Sequence, residues 1–127
     1  MHFEITLDEQ GRAAAEDNEP VAFGEEWTAE HLVLAGLARC SLTSLAHFAK
    51  KRGSVADGTA RARGMVTRRD DGAYGFVGLS CSLDVTIEPE PDDLGGLLEQ
   101  AVWGCFVGQS LTPKPEYHWR VNGSERA

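Results

Sequence analysis

Residues 28–52, TAEHLVLAGLARCSLTSLAHFAKKR, are patterned as one long helix that is apolar or small on nearly every face, and no other stretch limits the possible folds as strongly. Both ends carry helix signals. Thr28 is a favoured N-cap residue and Glu30 puts a carboxylate in the first turn, where it complements the helix dipole. Lys50, Lys51 and Arg52, followed by Gly53, supply the cations and the glycine that close a helix. The pattern predicts a helix from Thr28 to about Lys51. A helix apolar all round is expected to be buried all round. The run from Leu32 to Ala49 is interrupted by Arg39 and His47 and rich in small and hydroxyl side chains, which argues against a membrane span.

The remaining elements are short. His2–Leu7 alternates as a strand, Asp8–Gly11 reads as a turn, and Ala13–Glu26 is small, acidic and aperiodic, as in a surface loop. Thr59–Thr67 and Tyr74–Glu88 form a hairpin across the turn at Arg68–Gly72. Pro89 and Pro91 close it. Asp93–Trp103 then places Leu94, Leu97, Leu98, Ala101 and Val102 on one helical stripe, with Gln109 and Ser110 as a continuation past Gly104. Glu116–Asn122 alternates as a last strand, and Gly123–Ala127 is expected to fray. This order of elements predicts an α+β fold with a mostly antiparallel sheet, in one domain over residues 1–127. One short amphipathic helix and a sheet of this size cannot enclose the long helix on every side. A homodimer that packs this helix against its mate is the expected remedy.

Charge and cysteine content narrow the function. A formal net charge of −8 disfavours nucleic acid and anionic membranes as partners, since both reward clustered cations. The first ten residues alternate and turn acidic at once, unlike a secretory signal, so a cytoplasmic protein is expected. Three cysteines with no CxxC pair and no Cys/His cluster indicate neither a disulfide framework nor a zinc site. No metal or cofactor is implied, and the thiols should rest reduced.

Cys40 lies within the long helix and Cys105 in VWGCFVGQSL, just past the second helix. Two thiols distant in sequence, each inside a buried-looking element, suit dithiol redox chemistry. Core packing produces the same pattern, because free Cys is among the most buried residue types. The residues leave both readings open for this pair, whereas Cys81, in a strand with nothing titratable beside it, reads as core. One and two turns beyond Cys40 on its own face are Thr43, Ser44 and His47, potential donors to a thiolate. Peroxide reduction needs a thiolate that attacks the O–O bond, becomes a sulfenic acid and is resolved by a second thiol, for which Cys105 is the candidate.

The segment GEEWTAEHLVLAGLARCSLTSLAHFAKKRG resembles the signature of the OsmC/Ohr family, the osmotically inducible and organic hydroperoxide resistance proteins. The likeness rests on Gly24, Thr28, Glu30, Leu32, Ala35, Ala38 and Cys40 in a first motif, and on Cys105, Val107 and Ser110 in a second. The strand ending Trp119-Arg120-Val121-Asn122-Gly123 adds to it, so that it spans the chain in element order. The resemblance implies a compact OsmC-like α+β dimer with a long buried central helix and a second amphipathic helix. It implies reduction of small organic hydroperoxides through a Cys40 sulfenic acid resolved by Cys105 at the subunit interface, with a thiol reductant to reopen the disulfide.

The resemblance also maps a family glutamate onto Glu30, paired with an arginine that organises the thiolate. Ten residues of one helix rise roughly 15 Å, so Glu30 would reach Cys40 from the partner subunit or through a bent lead-in. The chain departs from the pattern at Ala29, where the family has proline, and at Cys105-Phe106-Val107-Gly108, where the family has Cys-Pro-x-Ser. For the arginine the N-terminal part offers only Arg12, and Arg39 points about 100° away from Cys40 round the helix. A buried thiol without a cation beside it has a raised pKa. The alternative expectation is a non-catalytic dimeric module of the same fold that binds a small apolar or thiol-reactive ligand. A Cys hydrolase is disfavoured because His47 lacks an orienting carboxylate.

Other residues carry weaker expectations. Arg61, Arg63, Arg68 and Arg69 read as a solvated basic hairpin whose charges discourage edge pairing. Either His118 or Trp119 should face inward, and Trp27, Trp103 and Phe106 are candidates to line an apolar pocket.

Overall fold

The computed structural model describes residues 1–126. By internal contact the chain divides into two compact units, Met1–Leu32 and the remainder from Val33.

The N-terminal unit is a three-stranded antiparallel meander of β1 (Ile5–Leu7), β2 (Arg12–Ala15) and β3 (Val21–Ala22), in the order β1-β2-β3. The first strand is shorter than the predicted His2–Leu7. The predicted loop Ala13–Glu26 instead contains most of β2 and all of β3. Alternation cannot be seen in a run such as Ala13-Ala14-Ala15, and backbone pairing of Ala15 with Ile5 and of Ala13 with Leu7 sets the strand regardless. The turn after β2 places Glu16 and Asp17 at φ of 48° and 66°, a left-handed conformation that Asp tolerates.

The long helix α1 (Ala29–Lys51) starts one residue after its predicted cap, with the His31 N–H donating to Thr28 Oγ1 at 3.3 Å. It continues into the second unit. There β4 (Val55–Arg68), β5 (Tyr74–Glu88), β6 (Glu116–Val121) and β7 (Ser124–Arg126) form a sheet in the order β4-β5-β6-β7. Pairing is antiparallel except between β5 and β6, which run parallel because α2 (Leu94–Trp103) and α3 (Phe106–Ser110) make the crossover between them. The hairpin is longer than predicted at its first strand and identical to prediction at Tyr74–Glu88. Residues 124–126, expected to fray, pair with β6, so the tail is a strand; Ala127 of that expectation lies outside the described residues.

Alternation on β5 builds the core. Leu79, Cys81, Leu83, Val85 and Ile87 are buried on one face of the sheet, and the last four form one core cluster with Leu94, Leu97, Leu98 and Ala101 of α2. From α1 the cluster takes Leu37, Leu45 and Ala49, the apolar members of a helical stripe completed by Ser41 and Ser44. Full burial of a leucine such as Leu37 contributes roughly 1.5–3 kcal/mol. Arg52, at the end of α1, donates to Gln100 Oε1 at 2.8 Å and to the Asp93 carbonyl at 3.3 Å, tying α1 to α2.

The expectation that α1 is buried all round is corrected within one chain: only the stripe from Leu37 to Ala49 is buried, and Ala35, Arg39, Thr43, Ala46 and His47 are exposed. A single sheet layer covers one face of a cylinder, and among the described residues of the second unit none covers the exposed face that carries Arg39, Thr43, Ala46 and His47. By length and composition alone α1 is long and apolar enough to cross a membrane. Its buried stripe against the sheet is the mark of a core helix.

Candidate functional site

Two helix ends position the second cysteine. Gly104 stops α2, its N–H donating to the Gln100 carbonyl at 2.9 Å. A side chain there would collide with the Phe48 ring, so the chain can turn this close to α1 only as glycine. Cys105 follows in extended conformation as the N-cap of α3, and its Sγ accepts from the Gly108 N–H at 3.4 Å. The predicted continuation at Gln109 and Ser110 is thus a separate helix that begins at Phe106.

Cys40 is half-buried on α1, and Cys105 is fully buried beside it. Burial raises the pKa of the Cys40 thiol above its ordinary value and the Cys105 thiol raises it further, while the backbone N–H groups of Val107 and Phe106 pull it down. Those two N–H groups belong to the first turn of α3, where backbone donors have no partner within the helix. Burial wins, and the thiol form is favoured. Within this unit no cation is among the groups that act on Cys40, among the described residues.

Beneath this pair lies a buried polar cluster. The Ser41 hydroxyl donates to the Leu37 carbonyl at 2.8 Å, a bond that takes its only proton. Ser41 Oγ is then an acceptor toward the thiols on either side, Cys105 Sγ at 3.6 Å and Cys81 Sγ at 3.8 Å. Tyr117 stands opposite Cys81 in the parallel β5/β6 register, its ring stacked on Trp119 with centroids 6.3 Å apart. Its hydroxyl is buried without a hydrogen-bond partner, and burial, followed by the neighbouring Cys105 thiol, drives its pKa well up. Burial likewise raises the pKa of Cys81. Gly108 makes room for the Tyr117 hydroxyl, since a Cβ at this position would occupy the same space.

The other anticipated residues are placed as follows. Ser44 is buried but donates to the Ala101 carbonyl at 2.7 Å, while Thr43 and His47 are exposed, so none of the three is the donor to Cys40 that the helical spacing suggested. Arg39 is exposed. Glu30, in the N-terminal unit, is fully exposed, and its carboxyl is held below the usual value by its own backbone N–H and the Thr28 hydroxyl. Arg12, in the same unit, is paired with Asp8 at 2.8 Å. Trp103 and Phe106 are 73% and 60% exposed, and Trp103 lines an open hollow of about 370 Å³ together with Leu98, Val102 and Trp119. Trp119 faces inward and His118 outward.

A groove of about 450 Å³ runs beside β4 and β5, lined by Arg63, Met65, Val77, Lys114 and Glu116 among others, and none of the cysteines lines it. No cluster of potential metal ligands occurs among the described residues.

Ser41, Gly108 and Tyr117 escaped the reading of the sequence. Ser41 was in principle visible, four residues after Leu37 on the buried stripe. Tyr117 shares a strand face with Trp119 and Val121 and needed only the same alternation. The role of Gly108 depends on what crosses it, which the sequence does not carry.

The family model for OsmC-like protein matches residues 22–120. No curated protein sequence matches the chain. Among solved structures it is similar to the organic hydroperoxide resistance protein OhrB of Bacillus subtilis, at 15% identity and a TM-score of 0.63 over 96% of this chain and 98% of that one. It is similar also to an OsmC-like protein from Mycoplasma pneumoniae, at 15% identity and a TM-score of 0.70 over 96% of each chain. An OsmC-like protein of unknown function from Vibrio cholerae aligns at 13% identity and a TM-score of 0.71, over 85% of this chain and 82% of that one. At these identities the likeness in structure is a likeness of fold.

Proposed function

The chain belongs to the OsmC-like protein family, and from that premise we propose that it is a thiol-dependent peroxidase that reduces small organic hydroperoxides in oxidative-stress defence. The observation that carries this reading is the placement of a half-buried Cys40 thiol beside a fully buried Cys105 thiol, where the backbone N–H groups of Val107 and Phe106 pull the Cys40 pKa down. The Cys40 thiolate attacks the outer oxygen of the hydroperoxide. An S–O bond forms, the O–O bond breaks, and the alkoxide leaves as an alcohol once protonated, so that Cys40 becomes a sulfenic acid. The Cys105 thiolate then attacks Cys40 Sγ. The S–S bond forms, and hydroxide departs and takes up a proton as water. A thiol reductant reopens the disulfide, and no cofactor takes part.

Glu30 is carried in this proposal as the third site residue, and Glu30→Gln tests it separately through the rate of the first step. The acting unit is a homodimer in a reducing, cytoplasmic compartment. The relatives named as organic hydroperoxide resistance proteins support the substrate class.

The test is thiol titration with cumene hydroperoxide followed by mass spectrometry. A Cys40–Cys105 disulfide formed at stoichiometric peroxide is the expected result. Two unreacted thiols in excess peroxide would sink the reading. One observation favours a second reading, a non-catalytic module that binds a small apolar or thiol-reactive ligand: burial keeps Cys40 protonated. Unreacted thiols in the same titration are the result that reading requires.

A further inference from the structure

The Tyr117 hydroxyl is buried, has no hydrogen-bond partner and has thiols and one serine for polar neighbours. A buried hydroxyl left unpaired costs about 1–3 kcal/mol, and phenylalanine would fill the same space without that cost. The hydroxyl therefore adds no hydrogen bond to the resting protein, which points to a use in another state of the site.

An account of the protons identifies that state. Ser41 has one proton and gives it to the Leu37 carbonyl, so it can only accept from the thiols around it. While Cys105 is a thiol, its S–H has Ser41 to donate to, and the Tyr117 O–H is left over. When Cys105 is a thiolate it becomes an acceptor and loses Ser41 as a partner. The donors beside it then include the Gly108 N–H, already at 3.4 Å, and the idle Tyr117 O–H. Glycine at 108 allows both, because any side chain there would displace the tyrosine hydroxyl.

We propose that Tyr117 is a positioning residue whose hydroxyl donates a hydrogen bond to the Cys105 thiolate whenever the Cys40–Cys105 disulfide is made or opened, an assignment that rests on the peroxidase reading. In resolution the bond holds the Cys105 thiolate as it attacks Cys40 Sγ and displaces hydroxide, which leaves as water. In recycling, a thiolate of a dithiol reductant attacks Cys40 Sγ, the more exposed of the two sulfurs. The S–S bond breaks, and its electron pair goes to Cys105, which leaves as a thiolate onto the Tyr117 and Gly108 donors. The second reductant thiol then closes on the mixed disulfide and releases Cys40. The reductant is oxidised to its own disulfide, and its two protons end on Cys40 and Cys105.

Tyr117→Phe tests this on the full-length protein. The variant keeps the ring and its stacking on Trp119. With cumene hydroperoxide, dimedone trapping and rapid-quench mass spectrometry separate formation of the Cys40 sulfenic acid from its conversion to disulfide. Formation should stay within twofold of the unsubstituted protein. Conversion should slow ~10-fold or more, with its pH profile displaced to the alkaline side, as expected for loss of one hydrogen bond to a charged group. The urea midpoint should be unchanged or higher, the opposite of what removal of a structural hydrogen bond does. Unchanged conversion overturns the assignment and leaves the peroxidase reading standing. Loss of stability with both steps slowed alike, or failure to fold, also overturns it, by giving the hydroxyl a structural role. Absence of any disulfide in the unsubstituted protein overturns both.

Discussion

The Gly108 N–H donates to Cys105 Sγ at 3.4 Å, so one sulfur atom both caps helix α3 and faces Cys40. The chemistry proposed for Cys105 and the local fold around it therefore draw on the same atom. When Cys105 is oxidised the cap is rearranged, and when it is reduced the cap is restored. Substitutions can separate the two roles.

Cys105→Ser keeps a favoured N-cap oxygen where the sulfur was, whereas Cys105→Ala removes the acceptor. The alanine variant is expected to lose about 1 kcal/mol more stability than the serine variant, measured by urea denaturation. Both should abolish disulfide formation and leave a Cys40 sulfenic acid that dimedone traps after one equivalent of peroxide. Turnover with a dithiol reductant should fall by about 100-fold or more in both. Equal stability of the two variants would remove the capping role.

Gly108→Ala places a methyl group where the Tyr117 hydroxyl lies. Overpacking of this kind costs about 1–3 kcal/mol. Part of that cost should disappear in the double variant Gly108→Ala, Tyr117→Phe, because residues in contact do not contribute additively. A double-mutant cycle on urea midpoints measures the coupling, and simple additivity would mean that the two groups do not meet.

The pH dependence follows from three raised acids. Cys40, Cys81 and Tyr117 are all shifted upward, in each case first by burial, from ordinary values of 9.0, 9.0 and 10.0. A group with a raised folded-state pKa binds its proton more tightly in the native state than in the unfolded chain. Its stabilisation is complete below the unfolded pKa and is lost as pH climbs toward the folded one. Stability is therefore expected to be flat through neutrality and to fall above about pH 9, as followed by denaturant unfolding at pH 7, 9 and 10. The rate at which Cys40 consumes peroxide should rise over the same range by about tenfold per pH unit while the thiol predominates, whereas a plateau at neutral pH would show that something else supplies the missing cation.

The uncovered face of α1 carries the expectation of a homodimer. Light scattering coupled to gel filtration at micromolar concentration should give twice the mass of the chain, and the unfolding midpoint should rise with protein concentration. A monomer insensitive to dilution would mean that the half-exposed apolar surface is tolerated as it stands.

Much of this protein was determined by sequence alone. The span of α1, the limits of β5 and the stripe of α2 follow from period and capping, which are properties of neighbouring residues. The family could be recognised from the run that ends at Cys40, and Cys40 and Cys105 could be named as a pair. The alanine-rich strand β2 and the terminal strand β7 were missed because their pairing partners, and not their own pattern, make them strands.

The surroundings of the thiols were decided only in three dimensions. Helical spacing points to Thr43, Ser44 and His47, but Thr43 and His47 lie off the buried stripe and Ser44 is spent on the Ala101 carbonyl, which leaves Ser41 beside the thiols. The β5/β6 register then sets Tyr117 against Cys81, and the turn at Gly104 swings Cys105 under Cys40. Local sequence reports which way a residue faces along its own element. What lies across from it depends on how elements far apart in the chain pack together, and the protonation of a buried thiol depends on what lies across from it.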